Sequence, residues 1–172
     1  LVFGLGLGVL AWAYRREYPE QAAAVVDIVM DPIKSVISGP RGMRNNNPGN
    51  IVRTGDQWRG MAADQSSDSR FVVFDSPVWG LRALARVLRK YTESGAVTVR
   101  DIVSRWAPPV ENDTGAYVAA VAARVGVSPT QTLALTDDTV SRIMEAIVQH
   151  ENGQQPYSPE LFAQAIALER SA

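Results

Sequence analysis

One stretch limits what this chain can fold into more than any other: Arg41-Gly42-Met43-Arg44-Asn45-Asn46-Asn47-Pro48-Gly49-Asn50. Three consecutive asparagines running into Pro-Gly-Asn exclude a helix interior and a central strand. Asparagine bonds its own backbone and tolerates left-handed φ, proline fixes φ, and glycine takes conformations closed to other residues. The stretch is therefore a tight, polar, shaped loop. Each amide offers two donors and an acceptor, a set that suits the hydroxyl and acetamido groups of a sugar. The competing duty is internal, with the amides bonding the protein's own backbone.

On either side the chain changes character. Residues Leu1 to Tyr14 carry no charge, and Arg15 and Arg16 follow at once. A helix of that length spans about 21 Å, short of the roughly 30 Å of a hydrocarbon core. Trp12 and Tyr14 lie where interfacial anchors would. The segment reads as the end of a membrane anchor, ahead of a signal remnant or a helix buried in an oligomer. Glu20 to Met30 reads as helix, Asp31-Pro32 as its break, and Ser38-Gly39-Pro40 as a linker. Residues 1–40 are expected to be an apolar anchor and helical stalk, and residues 41–172 the working domain.

Within that domain, Ile51-Val52-Arg53 and Phe71-Val72-Val73-Phe74 are short and β-prone, which predicts a small flap with Trp58 and Asp64 on its turns. The remainder is helical. Ser76-Pro77 opens a helix with Leu81, Leu84, Leu88 and Tyr91 on one face. Thr98 with Asp101 forms a capping box for a helix to Trp106, closed by Pro108-Pro109. Asp113 or Thr114 starts the next, ended by Gly126. Ser128-Pro129 repeats the start signal, Thr136 opens a helix to Gly153, and Ser158-Pro159 opens the last. The expected fold is mainly α: a compact helical domain with a small β flap behind an apolar, anchor-like helix.

Charge and composition exclude several functions. Three of the 17 basic and four of the 18 acidic residues precede Arg41, leaving 14 of each in the domain. A neutral domain without a basic run argues against nucleic acid as its partner. There is no cysteine, and His150 is the lone histidine, so thiolate chemistry and a histidine metal site are not expected. No cofactor is implied.

Two carboxylates stand out. Glu151 follows Ile147 by four residues and Met144 by seven, so it shares the buried face of its helix. It also lies in the last turn, where the helix dipole and apolar neighbours disfavour the ionised form, as a proton donor at neutral pH requires. Glu111 is the opposite case. A rigid Pro108-Pro109 brace aims it just ahead of a helix N-terminus, which favours its charge. Glycoside cleavage uses one raised and one depressed carboxyl. The simplest duty of Asp113 is the helix cap. His150 points about 100° from Glu151 and reads as a surface or supporting residue.

Taken in order, Arg44-Asn45-Asn46-Asn47-Pro48-Gly49-Asn50-Ile51, Trp58-Arg59-Gly60, Gly80-Leu81-Arg82-Ala83, Trp106-Ala107-Pro108-Pro109-Val110-Glu111-Asn112-Asp113-Thr114 and His150-Glu151-Asn152-Gly153 resemble a family of bacteriophage and prophage virion structural proteins over about residues 41–168. A weaker likeness links Ala146 to Gly153 with the helix end of lytic transglycosylases and related lysozyme-like enzymes, where a glutamate closes a helix before a Ser-Gly or similar pair. In those enzymes the glutamate helix comes early. Here about twenty residues follow it.

The resemblances imply a lysozyme-like, virion-associated and membrane-associated protein that cleaves peptidoglycan glycan strands, as a lytic transglycosylase or a muramidase. Glu151 is the expected acid and Glu111 the stabiliser or base. Arg44, Asn45, Asn46, Asn47, Asn50, Trp58, Asp113 and Tyr117 are the expected sugar-binding set. The membrane, through the first helix, and other virion proteins are the expected partners, and a homo-oligomer stays open. The rival expectation is a non-enzymatic structural or ejection protein of the virion.

Overall fold

The computed structural model describes residues 39–108 and 113–171. The chain divides at Pro40 into two units, 1–40 and 41–172. The anchor and stalk expected over residues 1–38 lie outside the described residues, and so does Glu111. Among the described residues no helix is long and apolar enough to cross a membrane.

The described part of the second unit is mainly helical, with a single turn α1 (Arg41–Arg44) and five longer helices. These are α2 (Pro77–Glu93), α3 (Val99–Trp106), α4 (Thr114–Val125), α5 (Asp137–Asn152) and α6 (Pro159–Arg170). Their ends follow local chemistry. Pro77 occupies the first turn of α2 after Ser76, where a missing N–H costs nothing. Thr98 and Asp101 close a reciprocal capping box on α3. The Asp113 carboxylate accepts from Ala116 N at 3.1 Å and caps α4. Gly126 and Gly153, both left-handed, stop α4 and α5.

Packing arranges these helices. Leu81, Leu84 and Leu88 of α2 join Ile102 of α3, Tyr117 and Val121 of α4, Ile143 and Ile147 of α5, and Phe162 of α6 in one buried cluster. Each fully buried Leu or Ile contributes about 2 kcal/mol relative to exposure. Exposed pairs such as Lys90–Glu93 supply far less, so the apolar faces set the arrangement. A second cluster of Ile51, Val72, Phe74 and Ala83 lies under the loop region, and Trp106 touches both.

Two expectations are corrected. The β flap is not a sheet: among the described residues Val52–Phe71 and Met61–Phe74 are isolated antiparallel bridges. Side chains and a loop carbonyl take the backbone groups that would extend a ladder. Asn47 Nδ2 donates to Val72 O at 2.8 Å, Val73 N to Gln65 Oε1 at 2.9 Å, and Phe74 N to Asn45 O at 2.9 Å. Ser128-Pro129 forms a turn and starts no helix. Gln131 N closes that turn on Ser128 O at 3.0 Å, and Leu133 N bonds Val97 O at 2.8 Å. Backbone bonds to the entry of α3 thus displace helical ones.

The asparagine loop is welded to both halves of the domain. Asn46 (φ 50) and Asn50 (φ 51) are left-handed, a conformation asparagine tolerates. Asp68, which the sequence pattern does not single out, is 5% exposed and holds the start of the loop. It accepts from Arg41 Nε at 2.6 Å, Asn45 Nδ2 at 2.6 Å and the backbone N–H groups of Arg70 and Phe71 at 2.9 Å. Burial opposes its charge, but Arg41 and these donors outweigh it and hold the carboxyl well below the usual carboxylate range. Gly80 lets α2 approach: a Cβ there would lie 2.0 Å from Asn46 O.

Gly80→Ala is expected to lose about 3 kcal/mol in urea unfolding, and a loss under 1 kcal/mol would contradict the close approach. The ionic contribution of Asp68 is complete above its unfolded pKa of about 3.9 and drains away as pH falls toward the lower folded value. Asp68→Asn is expected to cost about 2 kcal/mol at pH 7 and to flatten the acid limb of the stability profile below about pH 4.

Candidate active site

A cleft of about 410 Å³ opens beside the asparagine loop, and Glu151 lines it. Asn50, Trp58, Phe71, Tyr91 and Trp106 line the same cleft, so four aromatic side chains share its wall with polar groups such as Thr54 and Arg70. Asp56 is the second carboxylate among its described lining residues, and it accepts from Thr54 Oγ1.

Glu151 is half-buried in the last turn of α5, with Gly153 ending the helix behind it. A carboxylate there opposes the helix dipole. Three donors from three other segments offset that. Trp106 Nε1 and Tyr117 OH each donate to Oε1 at 3.1 Å, and Asn50 Nδ2 donates to Oε2 at 3.1 Å. Trp106 ends α3, Tyr117 lies in the first turns of α4, and Asn50 closes the asparagine loop. Burial, and then the Glu151 carboxylate, push the Tyr117 phenol far above its ordinary range, so it remains a donor. Outside, the exposed His150 ring stacks on Tyr117 at 3.6 Å and 13°.

The neighbouring residue fixes the backbone. Asn152, 8% exposed, donates to Pro48 O at 2.7 Å and Val148 O at 2.9 Å. It ties the end of α5 directly to the loop that carries Asn50.

The expected binding residues divide. Asn50, Trp58 and Glu151 meet at the cleft. The amides of Asn45, Asn46 and Asn47 turn inward to Asp68, Phe74 O, and Ile51 O with Val72 O. Their physical duty is to satisfy buried acceptors that the strained loop leaves without backbone partners. Tyr117 is 1% exposed and braces Glu151. Asp113 caps α4, and Arg44 is exposed at the end of α1. Trp58 packs on the Ile51–Phe74 cluster, and its indole N–H is buried without a hydrogen-bond partner. Sequence reasoning missed Trp106 as a donor to Glu151 and Asp56 as a cleft carboxylate. The place of Trp106 just before the proline brace was the available signal for the first. Nothing in the local pattern around Asp56 pointed to the second.

Fold and site together define a small helical domain that presents a multiply anchored glutamate to an aromatic cleft. Over 140 residues the chain is 39% identical to Protein P5 of Pseudoalteromonas phage PM2, covering 79% of this chain and 85% of that protein. The chain belongs to the family of that phage protein. No family model matches the chain.

Tyr117→Phe and Asn50→Ala are each expected to lose about 1 kcal/mol in denaturant unfolding. Because both donate to one carboxylate, their double-mutant cycle is expected to show coupling of at least about 0.5 kcal/mol. Strict additivity would show that the two donors do not share Glu151.

Proposed function

We propose that this domain cleaves the glycan strands of peptidoglycan as a virion-associated lysozyme-like enzyme, with Glu151 as proton donor. The supporting observation is a single one: a glutamate held by Asn50, Trp106 and Tyr117 at an aromatic-lined cleft. A carboxyl group has about four lone-pair positions, and the two neutral donors on Oε1 fill that oxygen. The position left on Oε2 is where a proton would be carried and passed to the leaving glycosidic oxygen. Tyr117 and Trp106 fix the carboxyl plane, so the transfer needs little reorganisation.

The cleft chemistry suits a sugar. Trp58, Phe71 and Tyr91 bring aromatic surface to the cleft, with the Arg41 and Arg70 guanidiniums over the Phe71 ring, and aromatic surface of this kind suits a sugar. If Glu111 or Asp56 stabilises the oxocarbenium-like state or activates water, the reaction is hydrolysis. Without such a carboxylate, the muramyl 6-hydroxyl closes on the anomeric carbon, and the product is lighter by one water. The apolar run from Leu1 to Tyr14 fits attachment to a membrane in the virion.

One observation favours the rival reading of a non-enzymatic virion component. The donors on Glu151 also join α3, α4, α5 and the asparagine loop, which is what a purely structural strut would do.

The discriminating experiment is zymography of the full chain on purified peptidoglycan. Wild-type clearing, lost at least a hundredfold in Glu151→Gln with helical circular dichroism intact, is the expected result, the size being that of a missing general acid (about 10²–10⁴). Clearing that survives Glu151→Gln would make Glu151 a strut in an enzyme with another proton donor, whereas no clearing from folded wild type on several wall chemotypes would favour the non-enzymatic reading. Mass spectrometry of the products then separates hydrolase from transglycosylase.

A further inference from the structure

Outside the cleft, α2 carries a second polar feature. Trp79, Arg82, Arg86 and Arg89 recur at three- and four-residue spacing and share one face of the helix. Arg82 is 6% exposed, and its buried Nε has no hydrogen-bond partner. A buried guanidinium N–H left unpaired is destabilising, and native proteins keep few of them. Glu169 is the carboxylate that acts on Arg82, but it is already ion-paired with Arg86 at 3.2 Å and Arg89 at 2.6 Å. Arg59 reaches in from the loop region, its guanidinium 5.8 Å from the Trp79 ring centre. Burial lowers the Arg82 pKa and Arg59 lowers it further, against the pull of Glu169. Among the described residues Arg82, Arg86 and Arg89 thus share Glu169, and Arg59 adds a further positive charge that acts on Arg82, so positive charge exceeds negative here.

We propose that Arg82, together with Arg59 and Arg86, binds a phosphate group. A planar guanidinium presents paired N–H donors that match two phosphate oxygens. Charge selects phosphate over carboxylate. A carboxylate would neutralise one of the surplus charges, whereas a phosphate monoester carries about −1.5 to −2 at pH 7. The Trp79 ring, half-buried beside Arg82, holds the Arg59 guanidinium over its face and limits its freedom before binding. The group could be free phosphate or the headgroup of a lipid phosphomonoester. This site is independent of the muralytic reading, because neither Arg82 nor Arg59 lines the Glu151 cleft. Zymography and phosphate binding can therefore fail separately.

The test uses the full chain in chloride buffer, with inorganic phosphate added at constant ionic strength. The expected result is a saturable rise in Tm, about 4 °C at a tenfold excess over the dissociation constant. Arg82→Met is expected to abolish the rise while matching or exceeding the wild-type Tm in chloride, since it removes a buried N–H that has no hydrogen-bond partner. Arg59→Gln, a surface change that leaves folding unaffected, is expected to weaken phosphate binding about tenfold and serves if Arg82→Met does not fold. A parallel arm measures co-flotation with phosphatidylcholine vesicles with and without phosphatidic acid. Binding that depends on phosphatidic acid and is lost in Arg59→Gln, without a response to inorganic phosphate, would identify the lipid source. No response in either arm, or responses unchanged in both variants, would overturn the proposal.

Discussion

The buried side chain of Asn47 is the interaction on which most of the domain depends. It is 0% exposed, accepts from Ile51 N at 2.9 Å, and donates to Ile51 O at 3.0 Å and Val72 O at 2.8 Å. One amide therefore supplies the partners that a strand ladder would otherwise provide. Its consequence reaches the cleft. The turn it fixes ends on Asn50, whose amide meets Glu151 across 101 residues of sequence. The same turn presents Pro48 O to Asn152, so the loop and the end of α5 are set in register by two adjacent bonds.

That register explains how a glutamate can occupy the last turn of a helix. The dipole opposes it by a few tenths to about 1 kcal/mol. Each hydrogen bond returns about 0.5–1.5 kcal/mol net, and Glu151 receives three. The position is therefore maintained by tertiary donors against a local penalty, and the donors come from three separate elements. Such a residue is sensitive to the whole fold, which is the condition under which a side chain is aimed rather than left to rotate in solvent. Arg82 shows the opposite balance. Its buried Nε lacks a hydrogen-bond partner, and Glu169, which acts on it, is ion-paired with two other arginines, so stability within the chain does not account for it.

Much of the helical fold was legible in sequence because its signals are local. The Thr98–Asp101 box, the Asp113 cap and the glycine stops at Gly126 and Gly153 lie within a few residues of the ends they set. The apolar faces of α2, α4 and α5 follow the helical period. What sequence could not show was where polar side chains spend their bonds. Three asparagines look alike as ligands, yet Asn45, Asn46 and Asn47 serve buried acceptors some 20 to 30 residues away. The β-prone segments failed to become a sheet for the same reason, since those side chains took the ladder positions. Asp68 lies in an unremarkable polar stretch, and only the fold brings Arg41 to it. At the cleft, the half-buried position of Glu151 was legible from its helical register, whereas its hydrogen bond from Trp106 required knowledge of how α3 packs.

The indole N–H signals of the full chain test the central claim most directly. The chain has four tryptophans, Trp12, Trp58, Trp79 and Trp106, and ¹⁵N–¹H spectra report each indole separately. Glu151→Gln is expected to move the Trp106 signal and leave that of Trp79 in place. Titration with a peptidoglycan-derived disaccharide peptide into the wild type is expected to move both Trp58 and Trp106. A Trp106 indole indifferent to Glu151→Gln, or a titration that moves neither cleft tryptophan, would contradict the account of Glu151 as a braced group meeting a glycan.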